Sequence, residues 1–426
     1  MPPSSSNRMG LNRTGSFGRR LLLLAGAAMP FSANAQPAKK LAPKPASPKP
    51  TAHGPARKPS DPVANGSPAQ TPIGPLDTAA RYAVILDHNS GATLLDKDAD
   101  VSQTPSSMTK LMTAYLVYER LKAGRLTLTQ ELPVSERAWR MGGSKMFVEL
   151  NNNVKVEDLI RGMIVQSGND ACIVLAEGIA GSEEGFVELM NAKAREFGLT
   201  KTNFKNSTGW PDPDHHMTVR DIALIARRLI TDFPEYYKYD SEKTFKYHGI
   251  EQQNRNALVQ KGVADGLKTG HTDDGGYGLV ASAQRGGRRV IVVVNGLPTM
   301  RARAEEGERL LEWAFREFEN VNLFTAGDVV EQAPVWLGSA ATVPLVAGRD
   351  LVITMPRNWR QKAAIAVDYE TPMKAPIVRG TKLGQLTVNG EGVPEMNVPL
   401  LAGADVARLG LPGRAVAVLS HYLTGT

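Results

Sequence analysis

Hydrophobic positions change their spacing several times along the chain, and each change marks an element. From Tyr82 the run Tyr-Ala-Val-Ile-Leu-Asp, the polar stretch His88-Asn-Ser-Gly91 and the run Ala92-Thr-Leu-Leu95 read as a hairpin with a glycine turn. Met108, Leu111, Met112, Tyr115, Leu116 and Tyr118 then follow a helical spacing, with Pro105 suited to a first helical position and Gly124 to a close. Helical periodicity continues over 156–168, 171–179, 184–197 and 219–229. Strands return over 266–272, 277–283 and 288–294, where the turns Asp273-Asp-Gly-Gly276 and Arg285-Gly-Gly287 join β-branched runs into an antiparallel meander. A helix over 303–318 closes this unit. With strands at both ends and helices between, the pattern predicts an α+β domain: an antiparallel sheet flanked by helices.

Beyond Phe324 short Val- and Leu-rich runs such as 350–354 and 382–388, separated by Pro and Gly, predict a second, small all-β domain. The last segment puts Leu411, Ala415, Val418, Leu419 and Tyr422 on one helical face. That face fits either a packed terminal helix or one in peripheral contact with a membrane.

Upstream of Tyr82 the pattern is of another kind. Arg8, Arg13, Arg19 and Arg20 precede an apolar run over 21–29, and Ala33-Asn-Ala35 offers a small-residue cleavage site before Gln36. This is the layout of a secretory signal peptide over 1–35, and its apolar run is too short for a comfortable membrane span. Arg19-Arg20 leaves export by the general or the twin-arginine route open. Residues 36–75, rich in Pro, Lys and Ala and poor in large apolar groups, cannot build a core and read as a disordered tether. The expected organisation is thus a leader (1–35), a tether (36–75), a first domain (76–322), a β domain (323–405) and a terminal helix (406–426).

Composition adds two limits. Residues 1–75 hold ten Lys or Arg against one Asp, so of the formal +7 the remainder keeps only about −2, and a nucleic-acid partner is not expected. The single cysteine, Cys172, excludes an intrachain disulfide and reads as a small buried apolar residue.

The chemistry starts at Thr104-Pro-Ser-Ser-Met-Thr-Lys110. A lysine three residues after a serine at a helix start shares that serine's face, so Lys110 reaches Ser107 and is poorly placed for Ser106. Ser107 is therefore the candidate nucleophile and Lys110 its general base, provided that burial or a nearby cation lowers the lysine's pKa. Ser106 is left as a helix-cap candidate. Ser167-Gly168-Asn169 lies between two predicted helices and Lys268-Thr269-Gly270 on a predicted strand. Ser167 can relay a proton to a leaving amine, Asn169 can hold a substrate amide, and Lys268 adds positive charge that disfavours the charged form of Lys110. Gly270 leaves the strand edge open to a substrate backbone.

These three pieces, in this order, resemble the motif set of penicillin-binding proteins and class A β-lactamases. The wording is most similar to the D-alanyl-D-alanine carboxypeptidases among the low-molecular-weight penicillin-binding proteins, at Pro105-Ser-Ser-Met-Thr-Lys-Leu-Met-Thr113, Gly143-Ser-Lys-Met-Phe147, Ser167-Gly-Asn-Asp-Ala-Cys172 and Asp265-Gly-Leu-Lys-Thr-Gly-His-Thr272. The resemblance runs from about Tyr82 to Phe324, and the following β domain fits the family's usual second domain. It departs in the long tether and in a terminal helix weaker than the family's usual membrane anchor.

The resemblance implies removal of the terminal D-Ala from peptidoglycan stem pentapeptides through a Ser107 acyl-enzyme, in the periplasm or at the outer face of the inner membrane. It also implies an oxyanion site from the backbone N–H groups of Ser107 and His271, and a carboxylate site of Lys268, Thr269 and Arg303 with Arg255 nearby. β-Lactams are the implied covalent inhibitors, and no metal or cofactor is expected. The glutamate of a Glu-x-x-Leu-Asn sequence, which a class A β-lactamase uses for deacylation, is not found after Ser-Gly-Asn. A crosslink-cutting DD-endopeptidase and a non-catalytic wall-binding scaffold remain the alternatives. His215-His216 reads as a loop pair, not a metal site, and Trp210 as a packing or cleft residue.

Overall fold

The computed structural model describes residues 7–9, 67–357, 363–390 and 393–424. The leader expected over 1–35 and the tether over 36–75 lie outside the described residues, apart from Asn7–Met9 and the stretch from 67 onward. That stretch corrects the end of the tether. Ala69 is fully buried and bridged to Leu76, and Gln70 N donates to Asp96 O at 2.7 Å, so the chain joins the first sheet well before Tyr82. Thr78 fastens the segment: its hydroxyl donates to Glu306 at 2.5 Å, and its carbonyl accepts from Lys97 Nζ at 3.0 Å.

The first sheet holds β1 (Tyr82–Asp87), β2 (Thr93–Lys97), β3 (Thr269–Thr272), β4 (Gly276–Arg285) and β5 (Arg288–Leu297), in the order β2-β1-β5-β4-β3. All neighbours are antiparallel, with Val292 opposite Ile85 on one side and Ala281 on the other. Because successive side chains point to opposite faces, β5 feeds two cores at once. Ile291 and Val293 join Val84, Leu86 and Val280 against the helical layer, while Val290, Val292 and Val294 join Ala83, Ile85 and Ala281 against a helix on the other face. This is why the run 290–294 is apolar throughout rather than alternating.

The helical layer includes α1 (Lys110–Lys122), Val156–Val165, α2 (Asn169–Ala180), Glu183–Glu196 and Val219–Asp232. The helix on the opposite face, α3 (Met300–Glu317), begins three residues earlier than its apolar pattern suggests. The Thr299 side chain accepts from Ala302 N at 3.0 Å and caps it there. Ahead of α1 the chain makes a short 3-10 turn, Ser106–Thr109, and Gly124 closes the helix with φ +67°.

The second domain is all-β, as expected. Phe318–Phe324 pairs with Leu351–Pro356, and a larger mixed sheet, to whose edge Asn7–Met9 adds, packs a separate core around Val343, Leu345, Val388, Val398 and Leu400. The terminal helix Leu411–Thr424 exposes Leu411, Val416 and Leu419. Among the described residues no helix is long and apolar enough to cross a membrane.

Candidate active site

The 3-10 turn brings Ser107 and Lys110 onto one face, with Lys110 Nζ 2.9 Å from Ser107 Oγ. Lys110 is 1% exposed, and its nitrogen also donates to Asn169 Oδ1 at 2.7 Å and to the Thr208 carbonyl at 2.6 Å. Burial pushes its pKa down to about 8, with the Arg255 charge acting in the same direction. The three oxygens around the nitrogen differ in kind. Asn169 Oδ1 and Thr208 O can only accept, which uses the two hydrogens of a neutral amine, whereas the Ser107 hydroxyl can donate to the remaining lone pair. The three oxygens can each take one hydrogen of a charged lysine, and loss of the proton shared with Ser107 would leave a lone pair facing the serine hydroxyl.

Asn169 stands at the N-terminus of α2 and is nearly spent: its carbonyl holds Lys110 and its Nδ2 donates to Gly142 O at 2.9 Å. One amide hydrogen remains for a substrate. Ser167, 3% exposed, adopts φ +61°, a left-handed conformation that costs a non-glycine residue roughly 1 kcal/mol, and turns toward the same cleft as Ser107.

Asp170, which sequence reasoning passed over, organises the cleft's wall. Its fully buried carboxylate accepts from the backbone N–H of Met146, Phe147, Val148 and Ala171 at 2.9 to 3.2 Å. An acid in the first turn of a helix was the available signal, since it complements the helix dipole.

Across the cleft, β3 presents Thr269, Gly270 and His271, and Lys268 precedes it with only a 3.4 Å bond to Thr269 O. Lys268 is 3% exposed, and burial together with the Lys110 and Arg255 charges holds its pKa well below the usual lysine value. Arg303, from the first turn of α3, is 5% exposed and makes only long bonds to Gly270 O (3.5 Å) and Arg255 O (3.4 Å); burial lowers it to about 10. Arg255 Nε donates to Gln166 O at 2.9 Å. Among the described residues none of these cations has an ion-pair partner, so an anion has a ready place there. Asp240 lies nearby, buried, with one carboxylate oxygen unpartnered; burial raises it to about 8 against the pull of Lys268.

Beside these groups lies a cavity of about 610 Å³ lined by Ser107, Ser144, Ser167, Thr269, Gly270, His271, Arg255 and Arg303, with Gln252, Gln253, Tyr277 and Met300. The last four and Ser144 were not singled out in the sequence. The Tyr277 ring lies tilted against His271 at 4.0 Å between ring centres, and both line the cavity. A larger cavity of about 890 Å³, between the Arg285–Arg288 turn and the second domain, contains none of these groups.

Two expectations are corrected. Ser106 caps nothing: its hydroxyl donates to Pro105 O at 2.7 Å and its backbone takes φ +49°. The space at Gly270 is filled by that serine, since a methyl on Gly270 would fall 2.0 Å from Ser106 Oγ, and one on Gly209 would fall 1.8 Å from Ser106 O. Both glycines therefore serve the turn that aims Ser107. His215 is buried behind it, Nε2 3.0 Å from Thr109 Oγ1 and Nδ1 accepting from Lys205 N at 3.4 Å, and burial pushes it down to about 4. His216 meets Asn203 through its backbone. Cys172, fully buried, donates to Gly168 O at 3.3 Å.

Both domains of the chain are similar to known proteins. Residues 68–299 match the family model of the D-alanyl-D-alanine carboxypeptidases, and residues 318–408 that of the penicillin-binding protein 5 C-terminal domain. D-alanyl-D-alanine carboxypeptidase DacA of Haemophilus influenzae is 39% identical over 80% of this chain and 89% of its own length. The crystal structure of penicillin-binding protein 5 from the same organism superposes with a TM-score of 0.74 at 38% identity, covering 78% of this chain and 99% of that one. Penicillin-binding protein D2 from Listeria monocytogenes, solved in an ampicillin-bound form, has a TM-score of 0.52 at 30% identity over 56% of this chain and 98% of its own.

Proposed function

The chain belongs to the D-alanyl-D-alanine carboxypeptidase family, and from that premise we propose that Ser107, Lys110 and Ser167 carry out the hydrolysis. It is a serine-type D-Ala-D-Ala carboxypeptidase, and its substrate on this reading is the peptidoglycan stem pentapeptide.

The Ser107 hydroxyl gives its proton to Lys110 Nζ as Oγ bonds to the carbonyl carbon of the penultimate D-Ala. Negative charge collects on the carbonyl oxygen, where the backbone N–H groups of Ser107 and His271 stabilise it. The carbon–nitrogen bond then breaks, with the proton passing from Lys110 through Ser167 to the departing amine, and free D-Ala leaves. Water, deprotonated by the same groups, opens the ester and returns Ser107. The substrate's C-terminal carboxylate is held by Arg303, with Lys268, Thr269 and Arg255 beside it. Asn169 positions Lys110 and lends its remaining N–H to the substrate amide. β-Lactams enter the same path with a strained amide whose leaving group stays attached, which makes them covalent inhibitors.

The observation that carries the assignment is the set of acceptors around Lys110 Nζ, which suits a neutral amine poised on Ser107. A wall-binding scaffold would have no need of a buried lysine whose pKa is drawn down to about 8 beside a serine hydroxyl. The leader-like N-terminus supports a periplasmic site of action, and the exposed Leu411, Val416 and Leu419 support a peripheral contact with the inner membrane's outer face. A fluorescent penicillin should label the enzyme and fail to label Ser107→Ala, and pentapeptide should yield D-Ala and tetrapeptide by mass. Label on the variant would refute the nucleophile. Cleavage of crosslinked muropeptides in preference to pentapeptide would turn the reading to an endopeptidase.

A further inference from the structure

Met300 opens α3 beside the catalytic cavity, and the hydrolysis does not use it. From Met108 onward the other methionines among the described residues are fully or partly buried, several of them deep in the helical core, whereas Met300 is 61% exposed. A thioether that meets solvent is open to oxidation by peroxides. The rival sulfur is out of reach: Cys172 is fully buried, and burial pushes its thiol up to about 12, far from the reactive thiolate.

Oxidation at Met300 would not be silent, because of what stands one helical turn on. Met300 and Arg303 are three residues apart on α3, so their side chains share a face, and both line the cavity. Arg303 is a strong donor with weak acceptors: its bonds to Gly270 O and Arg255 O are long, at 3.5 and 3.4 Å. In the reaction with a peroxide, the sulfur's lone pair attacks one oxygen, the O–O bond breaks, and the other oxygen leaves as water. The sulfur is oxidised by two electrons and the peroxide is reduced. An apolar side chain thereby gains an oxygen with partial negative charge, which the guanidinium and the positive end of α3 both attract. That oxygen and the substrate's C-terminal carboxylate would then compete for the same cation.

We propose that Met300 is a peroxide-sensitive modification site, whose sulfoxide engages Arg303 and so weakens binding of the substrate's C-terminal carboxylate. This rests on the carboxypeptidase reading above. The test treats the purified enzyme with hydrogen peroxide, locates added oxygen by peptide mass, and follows D-Ala release from a peptide ending in D-Ala-D-Ala over a range of concentrations. The peptide carrying Met300 should gain one oxygen, and KM should rise about tenfold, as for loss of one hydrogen bond between charged groups. The value of kcat should stay within about twofold, because Ser107, Lys110 and Ser167 are untouched. Methionine sulfoxide reductase should restore KM. In Met300→Leu, peroxide should leave KM where it was before treatment, and Met300→Gln, with a permanent oxygen acceptor, should show a raised KM without oxidant. An oxidised Met300 with unchanged KM, a fall confined to kcat, or a rise in KM in peroxide-treated Met300→Leu equal to the wild type's would overturn the inference while leaving the carboxypeptidase intact. An untreated wild type that takes up fluorescent penicillin but releases no D-Ala would overturn both.

Discussion

Lys110 donates to two oxygens that can never give a proton back and faces one, on Ser107, that can. On the proposed mechanism that asymmetry, more than the spacing of the two residues, is what would let it act as a base. Its pKa near 8 means that much of the enzyme holds a protonated lysine at neutral pH and cannot start the reaction. Acylation by benzylpenicillin should therefore rise roughly tenfold per pH unit well below 8 and level off above it, which stopped-flow measurement of the second-order constant from pH 6 to 9 would check. A flat profile across that range would remove Lys110 as the base. The pairing of Ser107 with Lys110 was legible because helix geometry acts over three residues. Ser106 was misread because its positive φ is imposed by contacts with Gly209 and Gly270, roughly 100 and 160 residues away, and no local pattern encodes them.

At the scale of elements, the wall formed by Met146–Val148 has no ladder of its own and depends on the Asp170 carboxylate at the start of α2. Replacing Asp170 by alanine would leave backbone N–H groups of Met146, Phe147 and Val148 without acceptors in a buried place. The expected cost is about 3 to 5 kcal/mol of stability, since hydrogen bonds to a charged group are individually worth about 1.5 to 3 kcal/mol. Acylation should fall with it, because Ser144 O, which accepts from Asn169 N at 2.7 Å, moves with that segment. Urea denaturation and penicillin labelling of Asp170→Ala would measure both; unchanged stability would mean that the segment is held by something else. Long helices were readable from period alone, whereas the hairpin of Thr244–Tyr247 and Ile250–Gln253 was not. Its residues Thr-Phe-Lys-Tyr and Ile-Glu-Gln-Gln show little one-sided apolar alternation, since most of them face solvent or the cleft. It nonetheless brings Gln252 and Gln253 to the site and joins Lys145 O through Gln252 Nε2 at 3.1 Å.

Across the whole molecule the two faces of one sheet give two cores, and a polar hub ties the first domain to the second. Buried Asp87 accepts from Arg288 Nε at 2.8 Å, from Ser90 and from Asn320 Nδ2 at 3.0 Å, and Asn320 in turn accepts from Thr354 in the β domain. The two-domain layout was legible as a change of apolar spacing near Phe324. The hub was not, because it joins charges some 200 residues apart. Buried ionisable groups also set how the fold as a whole responds to acid. His88 and His215 are held neutral by burial, each near a pKa of about 4 against 6.5 for a free histidine. Between pH 6.5 and 4 the unfolded chain binds protons there that the folded chain refuses, so stability is lost as pH falls through that window. Asp240, raised to about 8, works in the opposite sense by binding a proton in the folded state, but it is one group against two. Thermal unfolding at pH 7, 5.5 and 4 should therefore show a falling midpoint. In His215→Gln, whose amide can still donate to Thr109 and accept from Lys205 N, the fall should be smaller, so that the wild type's advantage at pH 7 narrows toward pH 4. Parallel curves for the two proteins would mean that His215 takes up its proton in the folded state after all, and that acid sensitivity arises elsewhere.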